Sequence, residues 1–229
     1  MKGGKIVYLT KDLWHNRNQA AKVIESITKE LRNGGLAVLP TDTAYALAAD
    51  ATNEDAVRKV FALKQRDESK PLPIVVSDHY MIREYAELSP LAEHLCDAFM
   101  PGPFALVVPQ KQTSNLAKSL SPKGIAFRIP ENDFTRAVIS DLGVPITSTS
   151  ANLSGDAPLY NSQEVKELFT EKVQVILDAG NLPPTPPSTI VDLTGTEPKI
   201  LRQGPVSEAD VMEEIAEFNT QKTRLDQAT

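Results

Sequence analysis

The sequence contains a single cysteine, Cys96, and no long apolar run in its 229 residues. One cysteine excludes an internal disulfide and is typical of proteins from a reducing compartment. No stretch approaches the roughly eighteen apolar residues that suggest a membrane-spanning helix. The first ten residues, MKGGKIVYLT, also lack the apolar core of a secretory signal. These absences predict a cytoplasmic protein that does not associate with membranes.

Net positive charge is missing as well. The chain has 24 Lys and Arg residues against 30 Asp and Glu residues, which gives a formal charge of −6. Proteins whose main role is non-specific nucleic-acid binding generally need net basicity or a long basic stripe. That role is therefore not expected, although a local basic pocket is compatible with the composition. The length suits one large α/β domain with its own core, or two small domains.

Several catalytic signatures are absent. The sequence has no phosphate-binding loop G-x-x-x-x-G-K-S/T, no dinucleotide fingerprint G-x-G-x-x-G and no G-x-S-x-G nucleophile turn. The three histidines, His15, His79 and His94, are widely separated, and the His94–Cys96 pair has no second pair to complete a zinc site. A resident metal is therefore not expected. Residue order does not exclude a serine–histidine triad, but no motif supports one.

Apolar periodicity predicts alternating strands and helices. The predicted strands are 5–10, 36–40, 72–77, 104–110, 124–130, 144–151, 173–180, 188–194 and 199–204. The predicted helices are 16–33, a helix with Asn53 as its N-cap, 78–86, 89–99, 133–142, 162–169 and 207–218. This alternation favours a single α/β domain, and the hairpin-like order of the last two strands predicts a mixed sheet. We assign residues 1–206 to this domain and residues 207–229 to a C-terminal helix with a mobile polar tail.

Three cations, Lys64, Arg66 and Lys70, fall within seven residues at the junction of a predicted helix and a predicted strand. Cations near a helix C-terminus interact favourably with the helix dipole, which explains Lys64 better than it explains Lys70. Lys64 also continues the apolar stripe of its helix, so it should point toward the protein body. A partly buried ammonium needs an anionic partner, which either Asp67 and Glu68 or a bound ligand could supply.

Further polar side chains occur where strands are predicted to end. Residues 147–155, TSTSANLSG, carry hydroxyls and an amide that would either face a ligand crevice or form a polar turn. Residues 40–51, PTDTAYALAADA, place polar side chains beside alanines. This pattern would allow either the close approach of a ligand or tight packing in the core. Arg128 and Arg202 lie in strand-like apolar segments, and a buried guanidinium calls for a carboxylate or a phosphate.

Together these segments resemble the YrdC-like family of threonylcarbamoyl-AMP synthases. The resemblance runs from about Gly34 to Gly204 and is carried by seven blocks in the family's order. The blocks are PTDTAYALAADA, LKQR followed by KPL, PGPFALVVP, IAFRIP, STSANLSG, STIVDLTG and ILRQG. The family's K-x-R and S-x-N signature is present as Lys64, Arg66, Ser150 and Asn152.

The resemblance implies a twisted α/β sheet with an open, positively lined cavity. It implies an enzyme, a nucleotidyltransferase, that joins L-threonine, bicarbonate and ATP into threonylcarbamoyl-adenylate and pyrophosphate, with Mg²⁺ held mainly through the phosphates. The product would serve a transferase that modifies tRNA to N6-threonylcarbamoyladenosine. The implied catalytic residues are Lys64 and Arg66. The implied ATP-binding residues are Lys64, Arg66, Lys70, Ser150, Asn152 and Arg202, and the implied threonine-binding residues are Thr43, Arg128, Ser148 and Ser188.

The sequence departs from the family at several positions near these residues, including Glu131-Asn132-Asp133 after the IAFRIP block and Pro186-Pro187 before Ser188. Ala46 and Ala48 replace two glycines, and Val75 stands near the position of a histidine, so the amino-acid side is expected to differ most. The length is expected to match the short, single-domain members. Two alternatives stay open at this point. One is a relative with another carbamoyl or acyl acceptor, and the other is a binding module for structured RNA. Weak RNA binding is also a possible property of the synthase itself.

Overall fold

The computed structural model describes residues 4–10, 13, 15–121 and 124–228. The strands are β1 Lys5–Tyr8, β2 Ala37–Pro40, β3 Tyr45–Ala48, β4 Ile74–Val75, β5 Phe104–Val108, β6 Ile125–Arg128, β7 Ile146–Thr147, β8 Thr149–Ser150, β9 Val175–Asp178, β10 Thr189–Asp192 and β11 Lys199–Arg202. The helices are α1 Arg17–Arg32, α2 Glu54–Lys64, α3 His79–Tyr85, α4 Pro90–Phe99, α5 Asp133–Leu142, α6 Ser162–Phe169 and α7 Glu208–Ala228, with a short 3₁₀ turn at Lys118–Leu120.

The strands pair in two mixed sheets. One sheet has the order β1-β9-β2-β3-β8, and the other has the order β11-β10-β5-β6-β4-β7. Each combines parallel pairs, such as β1 with β9 and β10 with β5, with antiparallel pairs, such as β2 with β3 and β10 with β11. The prediction of a mixed α/β fold is confirmed, including the antiparallel pairing of the last two strands.

The structure differs from the predicted elements in three places. The sequence pattern does not predict strand β3, because its alanines have low strand propensity. The predicted strand 144–151 is divided into β7 and β8, which belong to different sheets. Helix α7 continues to Ala228, well beyond the predicted end at 218, so most of the assigned polar tail is helical.

Local signals in the sequence fix the ends of the helices. The side chain of Asn53 accepts a hydrogen bond from the backbone N–H of Ala56 at 3.1 Å and caps α2, as predicted. Asn16 caps α1 in the same way, through the N–H of Gln19. After α1 the chain turns at Gly34, which has a φ of +72°, a conformation that glycine adopts at little cost.

Two apolar clusters hold the layers together. Helices α1 and α5 cover one face of the five-stranded sheet, with Ile27 and Val138 fully buried against it. The larger cluster includes Leu47, Phe61 and Phe127 from both sheets and from α2. Its further members Val211 and Ile215 come from the first half of α7. The division of the chain at residue 206 stays a prediction. Within the described ranges, none of the helices combines the length and the apolar character that a membrane crossing requires.

Candidate active site

A pocket of about 570 Å³ lies against the six-stranded sheet, with lining residues from β4, β5, β6, β10 and β11, and is bordered by residues of β3 and β8 from the five-stranded sheet. Residues 146–150 connect the sheets here, because β7 belongs to one and β8 to the other, and Ser148 lies between them. The pocket is lined by most of the residues predicted to bind ligands: Thr43, Arg66, Arg128, Ser148, Ser150, Ser188 and Arg202. The three remaining predicted residues, Lys64, Lys70 and Asn152, are outside the lining. Residues that are distant in the sequence therefore converge on one cavity.

Arg66 reaches the pocket because of the way α2 ends. Gln65 adopts the left-handed conformation with a φ of +51°, and the N–H of Arg66 then bonds to the carbonyl of Phe61 at 2.9 Å. The Arg66 side chain donates from Nη2 to the carbonyl oxygen of Pro71 at 2.8 Å. Its Nε is buried and has no hydrogen-bond partner among the residues that the structure describes. Burial lowers the pKa of Arg66, which means that the charged group lacks full solvation.

Arg128 ends β6 and is 7% exposed. Its Nη1 donates to both carboxylate oxygens of Asp42, at 2.7 and 2.9 Å, and to the carbonyl of Gly102 at 3.2 Å. Its Nη2 donates to the hydroxyl of Thr43 at 3.2 Å. The carboxylate expected for a buried arginine is therefore present in the protein. Sequence reasoning does not single out Asp42 as a site residue, although its place in the polar stretch directly after β2 is a usable signal.

Arg202 lies on β11 and is the most exposed of the three arginines. Its Nε donates to the carbonyl of Ser188 at 2.9 Å, which joins β11 to the start of β10. Burial, followed by the positive charge of Arg128, lowers the pKa of Arg202. The chain approaches itself closely after β11, because a Cβ on Gly204 would lie 2.1 Å from the carbonyl oxygen of Pro187. Only glycine fits there without moving the backbone.

The charges of the pocket are unevenly balanced. Among the described residues, salt bridges include Arg128 but neither Arg66 nor Arg202. Two partly desolvated guanidinium groups thus face one cavity without a salt-bridged carboxylate, while Asp192, which also lines the pocket, accepts hydrogen bonds from Thr194. Taking such charges out of water is unfavourable unless an anion pairs with them. This arrangement is suited to binding a polyanion.

Lys64 and Asn152 lie directly beneath the lining. Lys64 is 2% exposed, and its Nζ donates to the carbonyls of Ser150 and Asn152 and to Oδ1 of Asn152, at 2.5, 2.8 and 2.6 Å. Burial, with a smaller effect of the neighbouring Arg66, lowers the pKa of Lys64 to about 8. Lys70, by contrast, is exposed on the loop that follows. The expectation that Lys64 points into the protein body is confirmed, and its role in binding ATP stays a prediction.

The proline-rich loop 181–187 closes another side of the pocket. The Tyr45 hydroxyl donates to the carbonyl of Gly180 at 2.7 Å, and the Tyr160 hydroxyl donates to the carbonyl of Thr185 at 3.0 Å. The loop has no regular secondary structure. Tyr45, Tyr160 and Thr185 all line the cavity, and sequence patterns do not indicate the last two.

Ala46, Ala48 and Val75, three of the departures from the family pattern, have different locations. Ala46 and Val75 line the pocket, whereas Ala48 is buried in the core under α1 and α5. Ala46 and Val75 are therefore the two that a ligand would meet.

The described part of the chain holds no group of three or more His, Cys, Asp or Glu side chains placed to bind a metal ion.

Comparison with known proteins identifies the family. Residues 29–204 match the profile of the Sua5/YciO/YrdC family, which carries the description telomere recombination. The chain belongs to this family. The resemblance found in the seven sequence blocks is thereby confirmed, and the pocket is formed by residues within the matched range.

Individual members of the Sua5/YciO/YrdC family support the assignment. A protein of Methanocaldococcus jannaschii, provisionally named threonylcarbamoyl-AMP synthase, is 34% identical over 82% of this chain and 89% of its own length. The threonylcarbamoyl-AMP synthase of Pyrococcus abyssi is 32% identical over 82% of this chain and 56% of its own length. The crystal structure of P. abyssi Sua5 complexed with L-threonine superposes with a TM-score of 0.81 at 29% identity, covering 92% of this chain and 60% of that one.

Proposed function

We propose that this chain is a threonylcarbamoyl-AMP synthase, a nucleotidyltransferase that joins L-threonine, bicarbonate and ATP into threonylcarbamoyl-adenylate and pyrophosphate. The observation that carries the proposal is the convergence of Arg66, Arg128 and Arg202 on one cavity, where only Arg128 forms a salt bridge among the residues that the structure describes. Family membership and the named relatives support the same activity.

The nucleotide is assigned to the part of the pocket lined by Arg66, Arg202 and Ser150. The side chains of Arg66 and Arg202 line the pocket, and their partly desolvated guanidinium groups offer charge-assisted donors for phosphate oxygens. Apolar residues of the lining, among them Phe127 and Leu201, supply surface for a nucleoside. ATP enters as a substrate, and Mg²⁺ would be held mainly through its phosphates, because the polar groups named here, two guanidinium groups and a hydroxyl, do not suit a resident metal.

The amino acid is assigned to the part of the pocket around Arg128. Asp42 and Gly102 engage Nη1 of Arg128, and Thr43 accepts one N–H of Nη2, which leaves the second N–H of Nη2 to bind the carboxylate of threonine. Hydroxyls of Thr43, Ser148 and Ser188 are available for the polar groups of threonine. A relative crystallised with L-threonine supports this assignment.

The proposed reaction has two steps. The threonine nitrogen attacks the carbon of bicarbonate, water leaves, and an N-carboxylate forms. An oxygen of this carbamate then attacks the α-phosphorus of ATP, while the bond from that phosphorus to the bridging oxygen of pyrophosphate breaks. Negative charge grows on the departing pyrophosphate, where fixed guanidinium groups stabilise it without reorganising. Arg66 and Arg202 are assigned that task, and no covalent enzyme intermediate is required.

We further propose that the product is released in the cytoplasm to a transferase that modifies tRNA.

The experiment that tests the synthase activity follows pyrophosphate release from ATP by the purified chain. We expect release to require both L-threonine and bicarbonate, and to be slow when L-serine or another amino acid replaces threonine. The adenylate is identified by mass spectrometry. Equal release with serine, or with no amino acid, would contradict the threonine assignment.

A further inference from the structure

The ammonium of Lys64 has no hydrogen-bonding capacity left for a ligand. An ammonium carries three N–H donors. Three oxygen acceptors surround Lys64 Nζ: the carbonyls of Ser150 and Asn152 at 2.5 and 2.8 Å, and Oδ1 of Asn152 at 2.6 Å. With 2% of the residue exposed and all three donors engaged, binding a phosphate would require breaking one of these bonds and opening the structure above it.

The partners of Lys64 form a connected unit. Asn152 Oδ1 also accepts from the Ser150 hydroxyl at 2.8 Å, while Asn152 Nδ2 donates to the carbonyl of Asp156 at 2.6 Å. Lys64 and Ser150 both donate to Oδ1, whereas Nδ2 donates to a carbonyl, so these hydrogen bonds fix the orientation of the Asn152 amide group. The backbone adds a further link, because the N–H of Ser154 donates to the carbonyl of Lys64 at 2.8 Å. The end of α2 is thus joined to residues 150–156 through Lys64.

We propose that Lys64 is a positioning residue, which holds the 150–156 turn from beneath and sets the Ser150 hydroxyl as a hydrogen-bond acceptor in the pocket, and which does not itself bind ATP. The inference rests on the proposed function, because it reassigns one member of the nucleotide site. Ser150 lines the pocket and donates its hydroxyl proton to Asn152, so its oxygen retains only acceptor capacity. The ligand group it suits is an N–H or O–H donor rather than a phosphate oxygen.

Burial of the charge agrees with this geometry. The pKa of Lys64 is lowered mainly by desolvation and, to a smaller extent, by the positive charge of Arg66. A lysine that binds polyphosphate would be expected to reach water when the ligand is absent. Arg66, two residues later, has the opposite arrangement, with a pocket-lining side chain and an unpartnered Nε. The structure thus divides the two cations into one that supports the site and one that faces it.

The first test labels the native chain with trace acetic anhydride, with and without ATP, and measures each lysine by mass spectrometry. Exposed Lys70 is the internal control. We expect Lys64 to react about tenfold or more slowly than Lys70, because its reaction requires local opening, and we expect ATP to leave its rate unchanged. A smaller difference, or protection of Lys64 by ATP, would overturn the proposal. This measurement needs no variant and does not depend on turnover.

The second test is a double-mutant cycle on ATP-dependent pyrophosphate release. Lys64→Met should lower kcat/KM for ATP by about tenfold, and adding Ser150→Ala should cause almost no further loss, because Lys64 acts through Ser150. Adding Arg202→Ala to Lys64→Met is the control, and it should lower kcat/KM by the same factor as Arg202→Ala alone, because the two residues do not contact each other. Multiplicative losses for Lys64 and Ser150, or wild-type kinetics for Lys64→Met, would refute the positioning role. A chain that releases no pyrophosphate would refute the proposed function, while the labelling result would still report on the Lys64 environment.

Discussion

Asp42 holds Arg128 through both carboxylate oxygens, which bond to the same guanidinium nitrogen, Nη1, at 2.7 and 2.9 Å. The two side chains are 10% and 8% exposed, so this is a buried ion pair. The pair fixes the plane of the guanidinium and leaves Nη2 beside the hydroxyl of Thr43. Asp42 itself is not part of the pocket lining, so it acts on a ligand through Arg128.

Replacing Asp42 with Asn should weaken threonine binding more than ATP binding. The variant keeps the shape of the side chain but leaves a buried guanidinium without its counter-charge, which lowers the free energy of unfolding by about 3 kcal/mol. We expect the KM for threonine to rise by about tenfold or more, which corresponds to about 1.4 kcal/mol. Asp133→Asn is the matched control, because Asp133 pairs with Arg136 at the surface. An unchanged KM for threonine would show that Asp42 does not orient Arg128.

Arg66→Ala and Arg202→Ala should lose activity without losing stability. Each removes a charged donor that lacks a carboxylate partner among the described residues, so we expect the free energy of unfolding to change little. We expect kcat/KM for ATP to fall by about tenfold to a hundredfold for each, the range for losing a hydrogen bond to a charged group. Arg58→Ala is the control, since Arg58 is 60% exposed and pairs with Glu54 within the same helix. Wild-type turnover in either pocket variant would place the phosphates elsewhere.

The stability of the protein should depend on pH through Lys64. Its pKa is about 8 in the folded chain against an ordinary lysine value of 10.5, so the unfolded chain binds more protons between these values. The free energy of unfolding therefore rises with pH in this window. We expect the unfolding free energy of wild type, measured relative to Lys64→Met, to increase from about pH 8 to about pH 10. A flat difference in urea denaturation across that range would mean that Lys64 is solvated in the folded state.

Helix α7 should contribute to global stability through its first half. Ile215 is 8% exposed within the main core, whereas Met212 on the same helix is 52% exposed. Ile215→Ala should lower the free energy of unfolding by about 2–4 kcal/mol because it leaves a cavity. Met212→Ala should change it by less than about 0.5 kcal/mol. Equal effects of the two substitutions in urea denaturation would show that α7 does not pack on the domain.

Most elements could be predicted from the sequence because their signals are local. Apolar periodicity and the cap Asn53 depend on residues within a few positions of each other, and these predictions are confirmed. Strand β3 escapes prediction because its alanines carry no strand signal, and its pairing with β2 and β8 decides its conformation. The predicted end of α7 is too early because the polar residues after 218 lack the apolar stripe used to detect a helix.

The sequence by itself determined that Lys64 and Arg128 would carry charge into the interior, since both stand in apolar stretches whose neighbours are buried. The same reasoning is wrong for Arg202, because β11 is largely exposed. Tertiary structure alone decided which of these charges remain available to a ligand. The carboxylate that neutralises Arg128 lies 86 positions away in the chain, and the oxygens that surround Lys64 lie 86 and 88 positions away. Availability depends on which acceptors lie within about 3 Å of a donor. That distance is set by the packing of two sheets, and no local pattern of residues contains it.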